Sequence, residues 1–592
     1  MSRRWRRLLG GGFGLLVAIH GVGSPLVPGA ALAATPTIAQ LIGQKLMVAM
    51  SGTTPDAQLL GLIQRGEVGG VILFGSNVTS AAQLAALTKQ LRNAAVAGGQ
   101  PPLLIATDQE GGSVKRLSWV PPTLSPPQMG ALGSASTAYG QGKSTGIGLG
   151  CAGINNNLAP VADVPSSTSS FMYQEGRTWS FSASTTATLT DAFSSGLEAG
   201  LDMPTMKHFP GIGLATQDTD AHVVAITASK SALAPGLLPY QKAIGHHIPL
   251  IMLSNATYTA YDSLNAAGWS YAISVGLLRN TLGFTGISIT DSLNGTAAHR
   301  AVSVSSLAIR AGKAGTDMIL LTGGESSSQS VYASLVVAAQ NGTIPLSRLQ
   351  TSYSRILATK ARITSPTPDT TAPSVKPPIA NLYSGSTLGS TTSPVLTTWL
   401  ASDACGISSY VLERRLGSYS WAAQTLPSGT SRSISQSLSF GSTYRYTVRA
   451  TDGAGNTSAW AYGLSFTTLL TQQSSSSVSY HGTWVTVLNH PYASGGSLAY
   501  STSYGATATF KFTGYAVSWV AYRGPNRGSA AVYLDGVYYA TVNLYSPSYY
   551  STPIVYAAHW GINGTHTIKV VNLGTAGHPR VDVDAFVRLY AS

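Results

Sequence analysis

The sequence predicts an α/β chain: a (β/α)8 barrel of the TIM type followed by two all-β sandwich domains. Three observations carry that expectation. From about Ile38 to Ile363, short apolar runs alternate with longer amphipathic ones, the pattern of βα units around a parallel sheet. Asp108, His208 and Asp291 each stand at or just after the end of an apolar run, and barrel strands gather polar chemistry at their C-terminal ends. Beyond a Pro/Thr/Ser-rich break, period-two alternation and glycine turns replace the helical pattern. A doubly wound open sheet is the competing fold, and the acids and bases collected at strand ends favour the barrel over it.

In chain order, the runs that read as buried strands are Val68 to Phe74, Leu103 to Thr107, Asn157 to Val161, Asp202 to Lys207, Leu250 to Leu253, Gly286 to Thr290 and Asp317 to Leu321. Helical candidates fall between them at Ala81 to Ala97, Thr185 to Ala199, Leu237 to Ile244, Val275 to Leu282, Val304 to Ala314 and Ser328 to Gln340. Seven or eight such units in about 325 residues suit a barrel over residues 34–363. Residues 364–378 read as an extended linker. Trp399, Ser408 to Leu412 and Thr443 to Ala450, closed by the turn Asp452-Gly453-Ala454-Gly455, resemble a fibronectin type III-like sandwich over 370–469. Residues 478–592 read as a jelly-roll-like sandwich, with strong alternation in Ala506 to Phe512 and Ala531 to Leu534. Fourteen of the chain's 28 tyrosines fall there. With Trp484, Trp519 and Trp560 they form either a sugar-stacking face or ordinary packing within and between strands.

The N-terminus has Arg3, Arg4, Arg6 and Arg7 ahead of an apolar stretch from Leu8 to Val22, then Ala31-Leu32-Ala33. This is the three-part pattern of a secretory signal spanning 1–33, with cleavage expected after Ala33. A membrane anchor fits less well, because Gly10-Gly11-Gly12 and His20 interrupt a run already short for a bilayer. Removing the four arginines takes the formal charge from +13 to 13 − 4 = +9. Only 10% of residues are charged, so the surface is thinly basic; that argues against a nucleic-acid partner and is compatible with loose attraction to an anionic cell wall. Cys151 and Cys405 lie 254 positions apart in what read as different domains, so they are expected to be two small buried hydrophobes rather than a disulfide. No P-loop, HExxH helix or cysteine cluster occurs, so no cofactor and no metal are expected.

The chemistry concentrates in Lys207-His208-Phe209-Pro210-Gly211, in Asp220-Ala221-His222 and in Asp291 at the end of an apolar β-run. A cationic pair can bind hydroxyls, an imidazole can carry a proton near neutrality, and a carboxylate can act as a nucleophile. Thr107-Asp108-Gln109-Glu110-Gly111-Gly112 with Val114 and Arg116 matches a D-Q-E-G-G-x-V-x-R element. Asn157 to Val164 matches N-x-A-P-V-x-D-V, Arg177 lies in Gly176-Arg177-Thr178-Trp179-Ser180-Phe181, and Ala314 to Met318 matches A-G-x-D-M. On these motifs residues 34–363 resemble family 3 glycoside hydrolases, in particular the β-N-acetylglucosaminidase branch.

The resemblance implies that Asp291 is the nucleophile and that Asp108, Arg116, Arg177, Lys207 and His208 hold the non-reducing sugar. It also implies that His222 is the acid/base, oriented by Asp220 two residues earlier. Two departures stand out: Lys207 and His222 are fifteen residues apart where many members have thirteen, and Ile212 and Asn255 stand where histidines are common. Duller roles exist for each residue: Asp291 as a helix cap, Lys207 and His208 as a structural pair, His222 as an exposed loop histidine, and Glu110 as support for its loop. The expected activity is a secreted retaining exo-β-N-acetylhexosaminidase acting on cell-wall fragments or chitin-type oligosaccharides through a covalent glycosyl-enzyme. Its partner would be an oligosaccharide or polysaccharide, with no membrane contact after signal cleavage. A β-glucosidase or β-xylosidase of the same family is the competing enzyme, and a wall-binding protein with an inactive barrel the competing non-enzyme. The β-glucosidase branch takes its acid from a second α/β domain, and nothing after Thr364 reads as βα units.

Overall fold

Eight short parallel strands close into a ring. They are β1 (Leu46–Ala49), β2 (Gly70–Ile72), β3 (Leu104–Thr107), β4 (Asn156–Asn157), β5 (Met203–Phe209), β6 (Leu250–Leu253), β7 (Ile287–Thr290) and β8 (Ile319–Leu321). Each pairs with its sequence neighbour, β1 pairs with β8 through Leu46 and Ile319, and the bridge between Ile289 and Met318 joins β7 to β8. The computed structural model describes residues 35–363 and 369–591. The expected signal segment 1–33 and residues 364–368 of the expected linker lie outside the described residues.

The strand period of two divides the barrel core into layers. Met47, Ile72, Leu104, Ala106, Leu250, Met252, Ile287, Ile289, Met318 and Leu320 form one cluster inside the ring. Their neighbours Leu46, Val48, Val71, Ile105, Ile319 and Leu321 pack in a second cluster with the surrounding helices. That double burial is why the strands read as unbroken apolar runs.

β1 is absent from the sequence expectation because two polar residues lead into it. Lys45 is buried, and its Nζ donates to the carbonyls of Thr316 and Asp317, both at 2.8 Å, and to Ser352 Oγ at 3.0 Å. Burial lowers the Lys45 pKa to about 8, against the pull of Asp317. The helix Ala135–Cys151 also escaped the pattern, because five glycines interrupt it. They serve close packing: a Cβ on Gly142 would lie 2.2 Å from the carbonyl oxygen of Phe193, and one on Gly196 2.2 Å from that of Tyr139. The helix Ala135–Cys151 therefore nests against Ala183–Ala199 at backbone distance. Helix Lys230–Gly245 runs through Pro235 and Pro239, which shortened the sequence estimate at its start.

After the barrel, Ser374–Asn381 is a strand rather than free linker, pairing with Thr392–Ser402, which in turn pairs with Ser433–Ser439. A second sheet begins with Ile407–Leu416, Thr443–Asp452 and Ala461–Gln472 and continues through Ala585–Ala591 into Thr507–Val520 and Ile554–Asn572. One sheet thus runs through both β regions, and Trp399, Tyr446, Phe466, Tyr515, Val520 and Leu589 share a core. Of the tryptophans considered for sugar stacking, Trp519 is fully buried, and Trp484 and Trp560 pack against the same terminal core.

Cys151 and Cys405 form a disulfide with Cα atoms 5.7 Å apart, which corrects the expectation of two separate thiols. The first β region folds back against the end of helix Ala135–Cys151, so a gap of 254 residues along the chain is no measure of distance in space. Closing a loop that long removes about 5 kcal/mol of unfolded-state entropy in the chain-entropy picture.

Candidate active site

The C-terminal ends of β2, β3, β5, β6, β7 and β8 open into a cavity of about 280 Å³. Asp108, Glu110, Arg116, Arg177, Lys207, His208, Asp218, Asp220 and Asp291 all line it. Leu158, Met252 and Leu320, from the barrel core layers, line it as well.

One wall is an ion-pair network built on the ends of β3 and β5 and on the loops beyond them. Asp108 follows β3, and Gln109 fixes the turn beyond it by donating to the carbonyls of Leu117 and Val120, both at 2.9 Å, and accepting from the Leu117 amide at 3.0 Å. Lys207, near the end of β5, donates to Asp108 Oδ1 and to Glu110 Oε1, both at 2.7 Å. Arg177 grips Glu110 with two parallel bonds, Nε to Oε2 at 2.9 Å and Nη2 to Oε1 at 2.8 Å. Arg116 Nη2 lies 3.6 Å from Asp108 Oδ2, and its guanidinium rests over the Phe74 ring. Burial alone would push the Glu110 carboxyl up, but Lys207 and Arg177 overcome it and hold the pKa at about 2. The same arrangement raises Lys207: burial works against its charge, and Asp108 and Glu110 more than offset that. The five residues expected to bind a sugar all reach this one cavity, and Glu110 acts as the brace that aligns Lys207 and Arg177.

His208 is aimed by a residue the sequence reading left without a role. Asp163, fully buried, lies 2.8 Å from His208 Nδ1 and accepts the Ile212 amide at 2.8 Å. That contact directs Nδ1 away from the cavity and fixes the ring plane. The N-x-A-P-V-x-D-V match contained this acid, and only its spatial partner was missing.

The opposite wall carries Asp291 and Asp220. Asp291 follows β7; its amide donates to the Leu253 carbonyl at 2.9 Å and its Oδ1 accepts the Ser292 amide at 2.8 Å. Ser292, not Asp291, occupies the N-cap position of the following helix, Leu293–His299, and its side chain makes no capping hydrogen bond. No lysine or arginine among the described residues forms an ion pair with it. Asp220 Oδ1 accepts from Asn255 Nδ2 at 2.8 Å, and the same Nδ2 donates to the Ser292 carbonyl at 2.9 Å. Asn255 is fully buried, so this one amide ties the loop bearing Asp220 to the segment bearing Asp291. Burial, reinforced by the nearby Asp291, raises the Asp220 carboxyl to about 7 against the Asn255 hydrogen bond.

His222 departs from expectation. It is exposed, outside the cavity lining, and its ring stacks on His299 with centroids 6.3 Å apart. Its amide donates to the Asp218 carbonyl at 2.9 Å, and that turn carries the side chain outward, so Asp220 contacts Asn255 rather than orienting His222. The loop is also longer than the motif spacing implied, which is why the sequence could not place its histidine.

As for ions, the only group of His, Cys, Asp and Glu ligands close enough to hold one among the described residues is Asp369, Asp403 and Cys405. It lies in the β region, and its sulfur is engaged in the disulfide.

Residues 37–359 match the glycosyl hydrolase family 3 N-terminal domain, more than half of the chain. The chain belongs to glycosyl hydrolase family 3. An uncharacterized secreted glycosyl hydrolase of Arthroderma benhamiae is 32% identical over 331 residues, spanning 55% of this chain and 93% of that protein. Among solved structures, a β-N-acetylhexosaminidase from Beutenbergia cavernae superposes with a TM-score of 0.52 at 31% identity, covering 55% of this chain and 99% of the other. A family 3 β-N-acetylglucosaminidase from a Paenibacillus species gives 0.53 at 30% identity over 55% of this chain, which spans only 63% of that longer protein. The family 3 hydrolase described here therefore shares its barrel with these relatives, while its β regions lie outside the matched residues.

Proposed function

We propose that this glycoside hydrolase is a secreted retaining exo-β-N-acetylhexosaminidase that removes terminal N-acetylglucosamine from cell-wall fragments or chitin-type oligosaccharides. The observation that carries the reading is Asp291: a carboxylate at a strand end, without a cationic partner among the described residues, facing a cavity whose other wall is a braced set of sugar-binding cations and acceptors. A carboxylate free of such pairing is the group that can close on an anomeric carbon. In the first half-reaction Asp291 bonds to C1 as the aglycone departs with a proton from the loop 218–222; in the second, water releases the sugar with net retention.

Three features support the exo mode and the extracellular setting. The cavity is small, and the Asp108, Arg116, Arg177, Lys207 and His208 cluster crowds one end, as suits a terminal sugar held by its hydroxyls. A disulfide persists in oxidising compartments. The N-terminal arginines, apolar stretch and Ala31-Leu32-Ala33 agree with export, and the Arthroderma relative is described as secreted. The test is release of a chromophore from an N-acetylglucosaminide, a glucoside and a xyloside by the purified mature chain. Turnover of the first is expected, and turnover of only the other two sinks the substrate assignment.

A further inference from the structure

We infer that the outward face of the first β region binds a carboxylate-bearing cell-wall glycan, an inference that rests on the hexosaminidase reading above and narrows its polymer to the acidic wall rather than neutral chitin. The face belongs to the strands Ile407–Leu416, Thr443–Asp452 and Ala461–Gln472. Their alternation sends Leu412, Tyr446, Val448 and Phe466 into the shared core, so Glu413, Arg415, Arg445, Thr447 and Arg449 point the other way. Arg415 stands directly opposite Arg445 on the neighbouring strand. Like charges in that position repel one another, and an anion set between them removes the repulsion. The sheet supplies none: the ion pairs of the two β regions fall on Asp535 and Asp582, and Glu413, opposite Thr447, pairs with neither arginine among the described residues.

Aromatic rings hold these arginines in place. The guanidinium of Arg415 lies 5.1 Å from the Trp421 ring centroid, that of Arg445 5.2 Å from Tyr462, and that of Arg449 4.7 Å from Trp460. Trp421 and Tyr462 are themselves 5.6 Å apart, so Arg415, Trp421, Tyr462 and Arg445 make one continuous patch across the sheet. A stacked guanidinium has its plane fixed, and it loses less side-chain freedom when its N–H groups meet a carboxylate through two parallel bonds. Tyr462 keeps 47% of its surface exposed, so ring area stands open beside the cations.

The pattern selects among polymers. Arg445 and Arg449 are four residues apart on one strand, about 13 Å at the ordinary strand rise, with Thr447 between them. Two anion positions separated by ring-bearing surface suit a chain of sugar rings whose carboxylates recur at intervals: the rings lie on Tyr462 and Trp460, and the carboxylates meet the arginines. A polyol phosphate chain brings closely spaced charges, which Glu413 opposes, and no ring to stack. Neutral chitin offers rings but leaves the opposed arginines unanswered. A nucleic acid, with a charge every few ångströms, asks for a denser basic surface than three arginines with a glutamate among them. The barrel cavity takes the terminal sugar, and this face, which shares no residue with that cavity, holds the polymer.

The test is sedimentation of the full mature chain with insoluble peptidoglycan freed of phosphate polymers, beside insoluble chitin, at low and moderate salt. Wild type is expected to bind peptidoglycan about tenfold more tightly than chitin or better, with binding that weakens as salt is added. Arg415→Gln/Arg445→Gln is expected to lose that affinity by about tenfold or more. Arg415→Glu sets a carboxylate opposite Arg445, so it should raise the melting temperature and still lose binding. Lys376→Gln/Arg432→Gln, which removes two charges from the opposite sheet and the turn leading into it, is expected to bind as wild type. Equal losses in the two double variants, wild-type binding by Arg415→Glu, equal binding to chitin, or binding only to DNA or to walls that retain phosphate polymers overturns the inference. If wild type holds peptidoglycan through these arginines yet turns over no soluble N-acetylglucosaminide, the hexosaminidase reading falls and the binding face stands. If it turns over the small substrate while the arginine variants bind fully, the face falls alone.

Discussion

The two walls of the cavity solve opposite electrostatic problems. On the β3 and β5 side, Lys207 and Glu110 are almost wholly buried, yet Lys207, Glu110, Asp108, Arg116 and Arg177 each have an ion-pair partner within 3.6 Å. On the β7 side, Asp220 and Asp291 line the same cavity, and among the described residues the Asn255 amide and the Ser292 backbone amide are the groups that hydrogen-bond their carboxyls. Paired charges suit a binding surface, whereas carboxylates left without a cationic partner among the described residues suit the bond-making role proposed for this wall. The family fold places the first wall on strand ends and leaves half of the second to a loop.

Breaking the reactive wall at its centre gives the largest effect expected. Asp291→Ala should lower kcat/KM by about 10⁴-fold or more while Ki for a competitive sugar inhibitor changes little, as steady-state kinetics on an N-acetylglucosaminide would show. Breaking the paired wall should instead cost stability. Lys207→Met leaves Asp108 and Glu110 facing one another without their shared cation, and urea unfolding should show a loss of about 3 to 5 kcal/mol together with weakened sugar binding.

Two smaller changes sharpen the contrast. Asn255→Ala removes the amide that ties the loop bearing Asp220 to the segment bearing Asp291, so kcat should fall within about tenfold with KM little changed, as steady-state kinetics would show. Asp220→Asn tests the wall through stability. The folded-state pKa of about 7 lies above the ordinary value of about 3.9, so this group's contribution is fully present below pH 4 and is lost as pH rises through 7. The variant should match the wild-type Tm at pH 4 and exceed it by a few degrees at pH 8, a difference calorimetry would resolve.

The paired wall was almost entirely legible in the sequence. Asp108, Lys207 and His208 sit at barrel strand ends, where the fold leaves little freedom over where a side chain points, and Arg116 and Arg177 sit in motifs on the loops beyond. The reactive wall was half legible. Asp291 follows a strand and was found; the partner of Asp220 was not, because Asn255 lies 35 residues away on another strand end and the turn from Asp218 to His222 is set by backbone hydrogen bonds that no residue pattern announces. The same reasoning covers the fold. The barrel followed from its apolar runs, and β1 hid behind the buried Lys45. The glycine-rich helix Ala135–Cys151 looked like a helix breaker because its glycines answer to a neighbouring backbone rather than to local propensity. The disulfide from that helix to Cys405, and the single sheet shared by the β regions, depend on pairings over 100 residues or more that only the folded chain displays.

The division of labour between the walls stands or falls on where a sugar becomes attached. Incubating the mature chain with a fluorinated N-acetylglucosaminyl fluoride, followed by proteolysis and mass spectrometry, should find the glycosyl group on the peptide Ile289-Thr290-Asp291-Ser292, localised to Asp291 and absent from Asp291→Ala. A sugar found on any other side chain, or none at all from a chain that still hydrolyses the substrate, would contradict it.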